Sequence, residues 1–268
     1  MNDLFCLKGK IAIVTGALGL IGQKHCIALN NAGAHVIVTD LDEQKCIDFA
    51  KTHLDYSMGH YLDVTKKESI SELLKQVLIN YRKVDVLVNN AAINDMFEDP
   101  KAATEQSKFE NYPVELWQKS IDVNLTGVFL CSQIIGTQMV KQKKGSIINI
   151  GSTYGITAPD QNLYKDVEGV QSFYKPPAYP ATKAGVIMLS RYLAAYWGQS
   201  GIRVNTLTPG GVKNGQNNFF VENYARRTPL GRMAESDDFM GALVFLASDA
   251  SSYMTGANLV IDGGWTCW

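Results

Sequence analysis

Seven short apolar runs, set apart by longer stretches of helical periodicity, constrain this chain more than anything else in it. The runs are Ile11–Thr15, His35–Asp40, Met58–Asp63, Val84–Asn89, Ser146–Ile150, Arg203–Thr208 and Asn258–Ile261. Short runs of this kind suit strands buried on both faces. Between them, residues 20–32, 42–53, 66–81, 113–143, 179–197 and 236–248 carry apolar side chains at helical spacing. Strands that alternate with helices predict an α/β fold, a parallel sheet covered on both faces. No repeat, low-complexity tract or linker breaks the 268 residues, so one domain is expected over 1–268. Two segments resist the pattern: 93–112 and 153–178 are long, polar and interrupted by Pro and Gly. Loops of that length inside a compact domain carry function or are disordered.

A net charge of −1 offers no attraction to nucleic acid or to an anionic membrane surface, and neither is expected as a partner. Cys6, Cys26, Cys46, Cys131 and Cys267 are scattered, with no Cys-x-x-Cys pair. They read as free thiols in a reducing compartment, and no metal site is expected. The N-terminus carries an acid early and no long apolar run, unlike a signal peptide. No run approaches the ~20 apolar residues of a membrane span. The expected location is the cytoplasm.

Ile11–Thr15 feeds into Gly16-Ala17-Leu18-Gly19-Leu20-Ile21-Gly22 and then a helix. Glycine removes the Cβ that would block a tight turn, and a helix N-terminus offers unpaired N–H groups to a phosphate. Three Gly at three-residue spacing in this context signal a dinucleotide site; the alternative is a plain strand-to-helix turn. Asp40 ends the next strand. A carboxylate there accepts from the adenosine ribose hydroxyls and repels a 2′-phosphate, which points to NAD rather than NADP. The alternative is that Asp40 begins a turn or caps the next helix.

Tyr179 and Lys183 lie four residues apart in Tyr179-Pro180-Ala181-Thr182-Lys183, on one face of the predicted helix 179–197. A cation beside a phenol favours phenolate, so the Tyr179 pKa is expected to fall and the group to serve as an acid or base near neutral pH.

With these residues in view, the chain resembles the short-chain dehydrogenase/reductase family, in its compact single-domain branch. Further matches are Asp63-Val64, Asn89-Asn90-Ala91-Ala92, Asn124 in Asp122-Val123-Asn124-Leu125, and Ser152 in Gly151-Ser152-Thr153-Tyr154-Gly155. Pro209-Gly210 and Thr255-Gly256 with Asp262-Gly263-Gly264 complete the set. The resemblance covers essentially the whole chain. It implies a Rossmann-type, doubly wound, seven-stranded mostly parallel sheet with helices on both faces. It implies Tyr179 as general acid/base, with Lys183 holding its pKa down and bonding the nicotinamide ribose. Ser152 would donate to the substrate oxygen, and Asn124 would anchor a water leading from Lys183. For Ser152 the alternative is a cap, and for Asn124 a buried amide satisfying a helix kink. Cofactor contacts are implied for Gly16, Leu18, Gly19, Leu20, Ile21, Asp40, Asp63, Val64, Asn90, Ala91, Pro209, Gly210 and Val212, besides Tyr179 and Lys183.

The Gly spacing departs from the compact branch, with Leu20 at the middle Gly position and Gly19 one residue early. Gly-x-x-Gly-x-x-Gly belongs to the extended branch, but too few residues follow Pro209 for that branch's substrate domain. Ser152 and Tyr179 are 27 residues apart, about twice the family spacing. The extra residues, near 159–177, and the long 93–112 segment both leave the sheet edge where ligands bind. They carry Phe97, Phe109, Tyr112, Tyr164, Phe173 and Tyr174, with Asn94, Gln161 and Asn162 among them. Aromatic faces with amides suit a polyhydroxylated ring; alternatively these aromatics pack the insertions onto the body or a neighbouring subunit. Asn94, Tyr154 and Gln161 are the candidate substrate contacts. Asp95, Glu98, Asp99, Glu105 and Glu110 outnumber Lys101 and Lys108, an acidic rim unfavourable to acyl carrier protein or a heavily phosphorylated substrate.

The expected activity is NAD(H)-dependent interconversion of a secondary alcohol and a ketone on a sugar, sugar acid or polyol-like compound. The resemblance is to gluconate-dehydrogenase-like and surface-sugar-biosynthesis members. A 3-oxoacyl-thioester reductase and a non-catalytic dinucleotide-sensing protein are the alternatives. Relatives imply a homotetramer, or a homodimer, built through helices 113–143 and 179–197 and the last strand region. The apolar Gly264-Trp265-Thr266-Cys267-Trp268 end is expected at a subunit interface or packed within its own subunit.

Overall fold

A computed structural model describes residues 4–94 and 100–268. Seven parallel strands form one sheet in the order β3-β2-β1-β4-β5-β6-β7. They are β1 (Ile11–Thr15), β2 (His35–Asp40), β3 (Met58–Tyr61), β4 (Val86–Asn89), β5 (Gly145–Ile150), β6 (Ile202–Pro209) and β7 (Asn258–Ile261). Side chains alternate between two cores, as the strand period dictates. Ala12, Val14, Val36, Val38, Val86, Val88 and Ile148 face one core. Ile11, Ile13, Ile37, Leu87 and Ile147 face the other.

The first core is closed by α1 (Leu20–Asn31), α2 (Glu43–His53) and α9 (Met240–Ala247) through Cys26, Leu29, Phe49, Leu243 and Leu246. The second is closed by α3 (Lys67–Tyr81), α6 (Gly127–Gln142) and α7 (Ala178–Trp197). α5 (Val114–Ile121) runs into α6 through a π-helical turn at Asp122–Thr126. The combined stretch Val114–Gln142 reaches membrane-spanning length and mean apolarity, but Glu115, Lys119 and Asp122 interrupt it and it is no continuous apolar run. It is half buried, with Leu130, Cys131, Ile135 and Met139 in the second core.

Boundaries move from the sequence reading where a side chain replaces a backbone partner. The Asp85 carboxylate accepts from Ile11 N–H at 2.8 Å, so β4 starts at Val86 rather than Val84. The Asp63 carboxylate accepts from the backbone and hydroxyl of Thr65, and β3 stops before it. α4 (Pro100–Ser107) and α8 (Asn218–Arg227) were not anticipated. α8 is polar in sequence and is capped by Asn217, whose side chain accepts from Phe220 N–H.

His25 on α1 is fully buried, and neither ring nitrogen makes a hydrogen bond of ordinary length and angle. Burial lowers its pKa to about 4, opposed only in part by the Asn90 side chain. The unfolded chain binds this proton near pH 6.5 and the folded chain only near 4. Stability is therefore complete above about 6.5 and declines as pH falls towards 4, by roughly 1.4 kcal/mol per unit from this group. Urea midpoints at pH 7.5 and 5 should differ less in His25→Leu than in the wild type; an equal difference in both would contradict this.

Candidate active site

Both strand ends flanking the reversal in strand order, β1 and β4, open onto a cleft of about 1180 Å3. A parallel sheet presents its carboxyl ends to ligands at such a reversal. Every sequence-predicted cofactor residue lines this cleft: Gly16, Leu18, Gly19, Leu20 and Ile21 after β1, Asp40 after β2, Asp63 and Val64 after β3, Asn90 and Ala91 after β4, and Pro209, Gly210 and Val212 after β6. Ser152, Tyr179 and Lys183 line it beside β5.

Gly16 is required twice over. Its φ is +60°, and a Cβ there would lie 2.6 Å from Ala91 Cα. At Gly22 a Cβ would lie 2.4 Å from the Gly16 carbonyl. Leu20 is instead the first residue of α1 and half exposed, so a side chain is accommodated where the compact branch has Gly. Asp40 accepts from Leu18 N–H at 3.0 Å and Leu41 N–H at 2.8 Å, which fixes its carboxylate against the glycine turn. Asn90 donates to the carbonyls of Thr15 and Gly16, while its own Oδ1 is buried without a partner. A bare glycine cradle, a fixed carboxylate and room for an elongated ligand fit a dinucleotide.

Ser152 follows β5; its Oγ accepts from Tyr154 N–H at 3.1 Å, and its side chain hydrogen-bonds towards Tyr179. Tyr179 and Lys183 rise one turn apart from the first turns of α7, and Lys183 Nζ donates to the Ile150 carbonyl at 2.8 Å. The ammonium lies 5.7 Å from the Tyr179 ring centre. The expected fall of the Tyr179 pKa is not met in this structure. Burial raises it, and the Ser152 hydrogen bond only opposes that rise. Burial also draws Lys183 down, to about 8. Desolvation penalises the charged form of each partner, and here it outweighs their mutual attraction. The phenol is thereby kept in the proton-donating form.

Asn124 is fully buried in the π-helical turn and does not line the cleft. Its Oδ1 accepts from Ile93 N–H at 2.8 Å and its Nδ2 donates to the Ile93 carbonyl at 2.9 Å. The amide thus satisfies the backbone of Ile93 and ties the chain after β4 to the π-helical turn.

The two insertions, expected to face one cleft, also touch each other. Thr104 Oγ1 donates to the Ser172 carbonyl at 2.7 Å, and Tyr174 N–H donates to Ser107 Oγ at 3.0 Å. Asp95, Phe97, Glu98 and Asp99 lie outside the described residues, so the acidic rim is described only in part. Several aromatics both line the cleft and pack on one another. Tyr164 lies 5.5 Å from both Phe173 and Phe220, beside a small core of Leu163, Tyr224, Met233 and Trp265. An Asp160–Arg227 ion pair also joins the second insertion to α8. Trp265 stacks on Tyr224 within its own subunit at 4.1 Å, whereas Trp268 is exposed.

Of the substrate candidates, Tyr154 lines the cleft and shares a 3.1 Å hydrogen bond with the Tyr164 hydroxyl. Asn94 lines it and accepts from Lys175 Nζ. Gln161 does not line this cleft: its amide accepts from Lys175 N–H at 2.8 Å and donates to the Lys175 carbonyl at 3.2 Å. Lys175 itself was missed. The available signal was its position four residues before Tyr179, between an aromatic pair and Pro176-Pro177.

A family model described as enoyl-(acyl carrier protein) reductase matches residues 16–266. A 2-dehydro-3-deoxy-D-gluconate 5-dehydrogenase of Bacillus subtilis is 35% identical, the match covering 99% of this chain and 98% of that protein. An NAD-dependent glycerol dehydrogenase of Listeria innocua is 31% identical over 98% of this chain and 96% of its own length. A gluconate 5-dehydrogenase of Burkholderia cenocepacia, solved with NADP and tartrate, superposes with a TM-score of 0.87 at 29% identity, covering 99% of this chain and 98% of that one.

Proposed function

The chain belongs to the short-chain dehydrogenase/reductase family, an oxidoreductase family acting on alcohol and ketone substrates, and from that premise we propose an NAD(H)-dependent enzyme for a sugar, sugar acid or polyol-like compound. One observation carries the reading: Ser152, Tyr179 and Lys183 converge on the same cleft that the Gly16 turn and Asp40 enter from the other end. Relatives that act by name on a sugar acid and on glycerol support the substrate class.

When bound, a nicotinamide dinucleotide supplies the hydride donor or acceptor. The Gly16 turn would hold its phosphates, Asp40 the adenosine ribose, Asp63 and Val64 the adenine, and Asn90, Ala91, Pro209, Gly210 and Val212 the remainder. Tyr179 gives its proton to the ketone oxygen in reduction and takes the hydroxyl proton in oxidation. Ser152 donates to that oxygen as charge builds on it. Lys183 supplies the positive charge that steadies the phenolate. Asn124 positions Ile93 and, through Thr182, the helix that carries Tyr179; the bonds at its amide favour that role over a water anchor. The single-domain body would assemble as a homotetramer. Phe129, Met188, Tyr192 and Tyr196 are exposed on α6 and α7, the last two stacked at 5.9 Å, and apolar exposure of this kind supports an interface. Five unpaired thiols support a cytoplasmic location.

The preference for NAD rests on Asp40, since a 2′-phosphate would lie against its carboxylate. Asp40→Asn keeps the shape and removes the charge. It should shrink the ratio of kcat/KM for NAD over NADP by roughly tenfold or more. An unchanged ratio would contradict the assignment.

The acyl-thioester reading keeps some support from the description of the matching family model. Steady-state assays separate the two: turnover of a sugar-acid and polyol panel supports the proposal. Turnover of 3-oxoacyl thioesters alone would replace it.

A further inference from the structure

A second lysine stands at the substrate end of the cleft. Lys175 belongs to the insertion that lengthens the Ser152–Tyr179 interval, and it is buried to 9% exposure. Its Nζ donates to Asn94 Oδ1 and lies 4.6 Å from the centre of the Tyr179 ring, nearer than Lys183. Its backbone is clamped in both directions by the Gln161 amide. Gln161 is itself fixed, because the Gln171 side chain donates to its carbonyl at 2.9 Å. Desolvating an ammonium is costly, and three separate segments combine to place this one.

The charge around the cleft is polarised. Among the described residues its lining carboxylates are Asp40 and Asp63, at the ends of β2 and β3. Strands β1 and β4 separate these from the β5 end, where Lys175, Lys183 and Lys165 line the wall. A neutral polyol needs no such field. A substrate carboxylate does, and an ammonium on the face of the phenol would bind it a few carbons from the reacting centre.

We infer that Lys175, set by Asn94 and Gln161, pairs with a carboxylate on the substrate, so that the substrate is a hydroxy or oxo acid of the sugar series. This rests on the proposed alcohol–ketone reading and narrows it from sugars and polyols to acids. Lys175 discriminates by a charge that a neutral analogue cannot use.

The test is kcat and KM for matched pairs with NAD: D-gluconate against D-glucitol, D-galactonate against galactitol, L-threonate against L-threitol. The wild type should prefer the acid of a pair. Lys175→Met should lower the acid-to-neutral ratio of kcat/KM at least tenfold, mainly through KM. Lys175→Arg should restore most of that ratio, which a merely structural lysine would not predict. Lys175→Gln gives the same reading should the Met variant not fold. A ratio left within about twofold by Lys175→Met or Lys175→Gln overturns the inference while the alcohol–ketone reading stands. A wild type that turns over neither member of any pair overturns both.

Discussion

Tyr179→Phe should lower kcat by on the order of 10²–10⁴ while leaving dinucleotide affinity within a few-fold of the wild type. The ring fills the same volume, so the packing at the head of α7 is kept and only the hydroxyl is lost. That hydroxyl is the group towards which Ser152 hydrogen-bonds, and the nearby Tyr154 hydroxyl is committed to Tyr164. Burial keeps the phenol protonated, so the loss should appear in the reduction direction at neutral pH and not only in alkaline oxidation. Stopped-flow turnover with separate NADH binding by fluorescence measures both quantities. A variant with undiminished kcat would remove Tyr179 from the chemistry.

Lys183→Met should lower kcat/KM by about 10²–10³, the usual cost of removing one donor aimed at developing charge. Its pH profile should change as well. In the free protein Lys183 titrates near about 8, so its charge is present below that pH and lost above it. Reduction measured at limiting dinucleotide, the condition that reports free-protein groups, should therefore fall above about pH 8 in the wild type. The same limb should be missing in Lys183→Met. Met keeps the buried stem and leaves the Ile150 carbonyl without its 2.8 Å donor, so a modest fall in Tm is also expected. A profile with the same alkaline limb in both proteins would show that another group sets it.

The strands were legible because this sheet is buried on both faces, and runs such as Ile11–Thr15 and His35–Asp40 match their observed limits without adjustment. The dinucleotide end was legible for a related reason: Gly16 and Gly22 are dictated by backbone clearance, which residue type alone encodes. α8 was not, since Asn218–Arg227 is short and polar, and its one fully enclosed ring, Tyr224, is held by tertiary partners. Nor does sequence spacing reveal a π-helical turn; Asn124 was found through the family motif, and its bonds to Ile93 came from the structure. The direction of the Tyr179 shift was misjudged because helical spacing gives proximity to Lys183 but not depth of burial, and depth decides the sign. Lys175 was overlooked because an insertion has no periodicity to read. Its importance appears only once the chain returns it to the face of Tyr179.

The Tyr179 hydroxyl would meet the reactive ring of a dinucleotide held in this cleft, and everything else depends on that. A crystal structure of the protein with NADH addresses it whichever substrate the enzyme takes. The account predicts the adenosine ribose on Asp40, the phosphates on the Gly16 turn, and nicotinamide C4 directed at Tyr179 and Ser152. A dinucleotide bound elsewhere, or one whose nicotinamide ring turns away from the Tyr179 hydroxyl, would contradict it.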